Sequence, residues 1–486
     1  MNSTETGTNT LHPSRSTLIL AVIIVLLPHA ALFGGTGLIT PLAGNGGGGS
    51  TGIGGPALNA QMNTVQGICL DPAGNLFIAD YGNNRVLRVD AATGILTLVA
   101  GTGAYSSAGD GGPAALASVN GPTGLALDAD GNLYISEPSG YRVRRVDATT
   151  GIITTFAGNG SMTSSGDFGP ATWAGVKKPY GIAFDSAGNL FLAEYGHNIR
   201  RVDRATGIIT TVLENGPGRA SNPTWLAFDL SGRLLFSDIG YTKILRLDLT
   251  TGALDTFAGN GGMDFTGDGV PAASTAISGN PIGIAVDAAG NVYLASSGLF
   301  SIRRVDATTG IIATVAGNSF FQIPSPDGQP ANNTPIDPQA VAIAPDGSLV
   351  FSEVFRVRRV SLPSPWTYTA TSPALVPATV LPGQIFNFTA TVAPIGGAGI
   401  PTGTVTFMEA SAHSVIGTAD LAGGTATLTT AAPTLPGATY RLLAVYGGDT
   451  QFAACTSPAA VLTVQTVKVA TSLSLTSITN PSLPDT

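Results

Sequence analysis

The chain has 486 residues, 43% of them hydrophobic and 11% charged, with a formal charge of −8 and a pI near 4.9. An acidic surface with only 22 Lys and Arg excludes a phosphate-tracking protein, so no nucleic-acid partner is expected. The 64 Gly and 32 Pro exclude a helix-rich fold, and two cysteines, Cys69 and Cys455, are too few for a disulfide framework. Many short strands joined by turns, an all-β fold in two or more domains, are expected instead.

Residues 1–35 come first. Between Ser16 and Leu70 there is no Asp, Glu, Lys or Arg, and residues 17–33 are almost continuously apolar behind Arg15. This reads as a signal peptide or a membrane anchor, which makes the chain extracytoplasmic: secreted, at the cell surface or membrane-anchored. A membrane is a partner only through an uncleaved copy of this segment.

A repeat follows. The stretch from Gly67 to Asp80 (GICLDPAGNLFIAD) is echoed from Gly124, Gly181, Trp225, Gly283 and, more weakly, Ala340. Each unit reads as four strands. In the third unit these are residues 181–184, 190–193, 199–202 and 207–212, joined by Asp185-Ser-Ala-Gly188-Asn189 and Asp203-Arg-Ala-Thr-Gly207 turns. Four antiparallel strands per period make a propeller blade, so residues 36–361 are expected to form a six-bladed β-propeller. The sixth unit stops at Val360 without a final strand. Residues 36–46 (TGLITPLAGNG) match 150–160 (TGIITTFAGNG) and are expected to supply it, closing the ring and removing an open edge.

These repeats resemble the NHL family, in the form where Gly-Asn-Leu-Tyr-Ile-Ala-Asp is followed by Asn-x-Arg-Val and a loop containing Gly-Asp-Gly-Gly-Pro-Ala, here Gly109 to Ala114. The resemblance implies the fold; the family holds scaffolds, extracellular sensors and a few enzymes.

After a linker at 362–366, residues 367–466 read as a β-sandwich. Pro401-Thr-Gly-Thr-Val-Thr-Phe407 and Tyr446-Gly-Gly-Asp-Thr-Gln-Phe452 resemble bacterial Ig-like repeats, which implies a spacer or stalk. Residues 467–486 read as the truncated start of a second such repeat.

Strand parity puts the turn between second and third strands on the same face as the long blade-to-blade connections at 101–122, 158–179, 259–281 and 317–338. On that face the second strands end in Asp80, Glu137, Glu194, Asp238, Ser296 and Glu353, five acids in six repeats. Two readings apply to them. Each caps its turn or pairs with a third-strand arginine (Arg88, Arg145, Arg201, Arg246, Arg359), or together they bind a polar ligand or a cation, calcium being the ion such oxygens would suit. No other cofactor is expected. Asp128-Ala-Asp-Gly-Asn132 occupies the common hairpin slot and lacks the twelfth-position Glu of a calcium loop.

Tyr105, Trp173, Tyr180, Phe265, Phe320 and Phe321 punctuate the loops and either pin them or recognise a glycan, peptide or protein. Trp225 replaces the first-strand Gly where the preceding connection is shortest, and is expected to fill the space of the missing loop. No catalytic residue is assigned: His197, the one propeller histidine, reads as a turn variant. The expected function is an exported binding scaffold presenting a loop-rich face at the cell surface. The alternatives are a metal-dependent propeller lactonase or lyase, and a structural part of a longer adhesin. Lyases similar to this fold use converging histidines, and lactonase-type propellers use carboxylates and Asn about a divalent ion.

Overall fold

The computed structural model describes residues 37–466 except 263–266, 278–280, 318–325, 332–333, 362–368, 395–398, 411–413, 434–436, 450–451, 453–454 and 458. The apolar segment at 17–33, the linker at 362–366, residues 467–486, Phe265, Phe320 and Phe321 lie outside the described residues. Among the described residues no helix is long and apolar enough to cross a membrane.

Among the described residues the repeats form six antiparallel sheets, four of them built from four consecutive strands. The first runs through Val65–Leu70, Leu76–Asp80, Arg85–Val89 and Leu96–Ala100; the next three repeat the pattern, and the fifth adds a short outer strand, Val270–Pro271, paired with Ile311–Gly317. The sixth combines Ala340–Ile343, Leu349–Glu353 and Arg356–Val360 with Ile39–Ala43 from the start of the described chain. That strand pairs antiparallel, Ile39 opposite Val360 and Ala43 opposite Val357, as the repeat matching anticipates. Pro41 is tolerated because an outermost strand needs amide donors on one side only.

Each apolar core lies between two neighbouring sheets rather than within one. The seam between the sixth and first sheets buries Ala43, Val350 and Val357 against Val65, Ile78 and Leu87, and equivalent clusters fill the other junctions. The ring therefore closes on a packed interface as well as on hydrogen bonds.

Every second-strand residue is buried because it is covered on both faces by a neighbouring sheet. The hairpins follow turn chemistry: Asp71 Oδ1 accepts from the amides of Ala73 (3.0 Å) and Asn75 (2.8 Å), and Asn75 Oδ1 accepts from the Ala91 amide in the next turn (2.9 Å). Asp128, Asp185 and Asp287 repeat the arrangement, so the carboxylate of Asp128 is committed to its own turn.

The inner strands converge too tightly for side chains. A Cβ on Gly67 would lie 2.0 Å from the Thr123 carbonyl oxygen, and one on Gly124 would lie 2.3 Å from that of Tyr180. Trp225 is the exception, and the expectation that it replaces a missing loop is corrected. Its indole crosses the axis: a Cβ on Gly67, in the opposite sheet, would be 3.2 Å from Trp225 Cη2, and the ring packs on the apolar cluster between the sixth and first sheets. Closest approach of the inner strands leaves one axial space, which a single large side chain fills.

The C-terminal part is a sandwich of two sheets. One contains Thr369–Val376, Ile385–Pro394 and Thr425–Ala431; the other contains Thr404–Glu409, Ser414–Asp420, Thr439–Tyr446 and Ala460–Val464 among its strands. Phe388 and Phe407 meet across the core, with ring centroids 4.7 Å apart.

Candidate functional site

The long connections and the second-to-third-strand turns do share a face. Gly121 of the first connection donates its amide to Asn84 Oδ1 (2.9 Å) in the turn of the first sheet, and Gly82 in that turn donates to the Asn63 carbonyl (2.8 Å). The five acids end their strands beneath these loops, where Asp80, Glu137, Glu194 and Asp238 are fully buried and Glu353 nearly so. They do not converge on a common point; each is held in its own sheet.

The partners differ from those the sequence suggested. Asp80 pairs with Arg85 (2.6 Å), Glu137 with Arg144 (3.2 Å), Glu194 with Arg200 (3.3 Å) and Glu353 with Arg356 (2.5 Å). Arg88, Arg145, Arg201, Arg246 and Arg359 instead meet Asp90, Asp147, Asp203, Asp255 and Asp346 on the tight-turn side. Parity is the reason. Glu137 lies opposite Arg142, so Arg144, two residues on, projects from the same face of the sheet and Arg145 from the other. Asp238 needs no arginine: it accepts from the amides of Ser221 (2.7 Å), Asn222 (3.1 Å), Gly240 (3.0 Å) and Tyr241 (3.1 Å).

The buried arginines reach past the acids into the loops. Arg144 contacts Asp110 at 2.5 Å, Arg200 contacts Asp167 at 2.6 Å, Arg303 contacts Asp268 at 2.8 Å and Arg358 contacts Asp327 at 2.8 Å. Sequence reasoning passes over these aspartates, although the signal is in the chain. Where the motif lacks Asp, at Ile53, or the connection is short, before Trp225, the arginine is replaced by Leu87 or Leu245. Ser107 and Ser164 donate from the same loops to Glu137 and Glu194. Each of these loops is thereby fastened by an ionic cluster around a buried arginine, which would be costly to leave without its partners.

Burial pushes the carboxyl of Glu137 up to about 7, against the opposing pull of Arg144 and Ser107. Burial raises Glu194 and Asp80 as well. Partly exposed Asp147 goes the other way, to about 2, because the Thr150 amide and hydroxyl bond its ionised form. His197 is lowered by partial burial and by Lys177, and its amide closes a turn onto the Glu194 carbonyl (2.8 Å).

The aromatic residues divide. Tyr180 is half-buried against Tyr195 at 5.0 Å, whereas Tyr105 and Trp173 are 84% and 77% exposed on the loops that Arg144 and Arg200 fasten. Tyr105 also lines a cleft of about 410 Å³ with Asn83, Asn84, Arg85 and Thr102.

Residues 62–88 match the NHL repeat, and residues 373–465 match the bacterial Ig-like domain of group 3. The chain is 26% identical over 234 residues to the chloroplastic protein SUPPRESSOR OF QUENCHING 1 of Arabidopsis thaliana, covering 44% of this chain and 22% of that protein. It is 36% identical over 111 residues to teneurin-3 of Danio rerio, covering 20% of this chain and 4% of teneurin-3, so it spans a small part of either relative. Among solved structures, a structural genomics protein of unknown function from Bacteroides thetaiotaomicron superposes with a TM-score of 0.54 at 18% identity, over 67% of this chain and 75% of that one. With repeat, ring and sandwich in place, the chain combines a β-propeller that contains a match to the NHL repeat with a match to the bacterial Ig-like domain of group 3.

Proposed function

We propose that the protein is an exported binding scaffold, with residues 36–361 as the propeller and 367–466 as the Ig-like arm, whose contact surface is the loop face around Tyr105 and Trp173. One observation carries this reading: the oxygens of the buried acids are committed to arginines, hydroxyls and amides, while the large aromatic rings on the loops they fasten stand in solvent. Exposed rings above a polar cleft suit a glycan or a peptide, because a flat apolar face and nearby amide and guanidinium donors recognise alternating apolar and polar groups. Asp80, Glu137, Glu194, Asp238 and Glu353 then serve binding indirectly, by holding the loops.

Glycan and peptide arrays probed with the parent, Tyr105→Ala, Trp173→Ala and Glu137→Gln would test this. Signals lost at least tenfold in the two aromatic variants and kept in Glu137→Gln are expected. A ligand whose binding survives loss of both rings and disappears with Glu137→Gln overturns the assignment.

A further inference from the structure

The long connections carry four aspartates that meet a buried arginine, three after a glycine and Asp327 after Pro326, and one of them differs in its surroundings. The side chains of Asp110, Asp167 and Asp327 are 40%, 32% and 30% exposed, whereas that of Asp268 is fully buried. The cover comes from the Ig-like module. Thr456 donates its amide to Asp268 Oδ2 (3.3 Å), and its carbonyl accepts from the Asp268 amide (3.1 Å). Asp268 Oδ1 is taken on the propeller side by Arg303 (2.8 Å) and Thr314 Oγ1 (3.2 Å).

The contact is continuous with the cores of both domains. Cys455–Thr456 is a short strand paired with Thr439–Tyr446, Val445 lying opposite Thr456. The Cys455 sulfur accepts from Thr369 Oγ1 (3.0 Å) and is hydrogen-bonded to Thr371 Oγ1 (2.7 Å), where either atom can donate; both threonines are on the first strand of the facing sheet. Cys455, Thr456, Thr369 and Thr371 are all buried. A carboxylate removed from water by the partner domain, with both of its oxygens engaged, favours one relative position over many, since any displacement strands a buried charge.

We propose that the Ig-like module is locked to the edge of the fifth sheet as a fixed arm, with Asp268 as the shared partner of both domains. The arm is then a rigid mount for the loop face rather than a free tether. At the corresponding place Asp110, Asp167 and Asp327 stay partly exposed.

The test is calorimetry and small-angle scattering on residues 36–466, as parent, Thr456→Pro, Thr456→Ala, Asp268→Ala and Asp110→Ala. Thr456→Pro removes the donated amide and leaves the Arg303–Asp268 pair; Thr456→Ala keeps the backbone. Parent, Thr456→Ala and Asp110→Ala are expected to unfold in one transition with one compact scattering profile. Thr456→Pro and Asp268→Ala are expected to give two transitions separated by about 5 °C or more and a larger maximum dimension. Should the proline disrupt the sandwich itself, Asp268→Ala still decides, because it acts from the propeller side. Two transitions in the parent, or a single unshifted transition in Asp268→Ala, would overturn the lock.

Discussion

Replacing Glu137 by Gln removes an ionisable group from the end of the second strand of the second sheet while keeping the side chain's shape. The carboxyl is raised from 4.5 to about 7 by burial, so between these values the folded protein holds a proton that the unfolded chain releases. The sign follows from linkage. The contribution of this group is fully present below about 4.5 and is lost as pH rises through about 7. A tenfold change in proton affinity corresponds to about 1.4 kcal/mol, so the loss amounts to about 3 kcal/mol. Gln cannot titrate and keeps one carbonyl oxygen for Arg144, which retains Asp110 at 2.5 Å. Urea unfolding of parent and Glu137→Gln at half-unit steps from about pH 4.5 to 8 should show the parent losing about 3 kcal/mol relative to the variant, most of it between about pH 5 and 7. Curves that stay parallel across this window would refute the reasoning, since they would mean that Arg144 keeps Glu137 ionised throughout.

Deleting residues 36–43 should open the ring, because Ile39 and Ala43 are fully buried against the sixth sheet; a fall of several kcal/mol in stability and self-association by analytical ultracentrifugation are expected. Trp225→Gly should cost about 3–5 kcal/mol by emptying the axis, and millimolar indole should restore part of the lost melting temperature; no response to indole would place the ring elsewhere. Millimolar calcium should leave the melting temperature unchanged, because the acid oxygens already have partners, whereas a rise abolished by Glu137→Gln with Glu194→Gln would return the acids to the role of cation ligands.

Much of the fold is legible along the chain because its signals are local. The Asp-x-x-Gly-Asn turns, the apolar second strands and the spacing of the units need no knowledge of distant residues, and the match of residues 36–46 to 150–160 places the N-terminal strand by similarity alone. Partners across strands and across the ring are another matter. That Glu137 meets Arg144 rather than Arg145 depends on register, which a one-residue shift reverses. That Trp225 fills the axis depends on six inner strands converging, and the burial of Asp268 depends on a residue 188 positions away in the other domain. Local hydrogen bonding and periodicity write the blades into the sequence; the destinations of the buried charges are decided only when separate elements pack, because burial is a property of the assembled structure and not of any one segment.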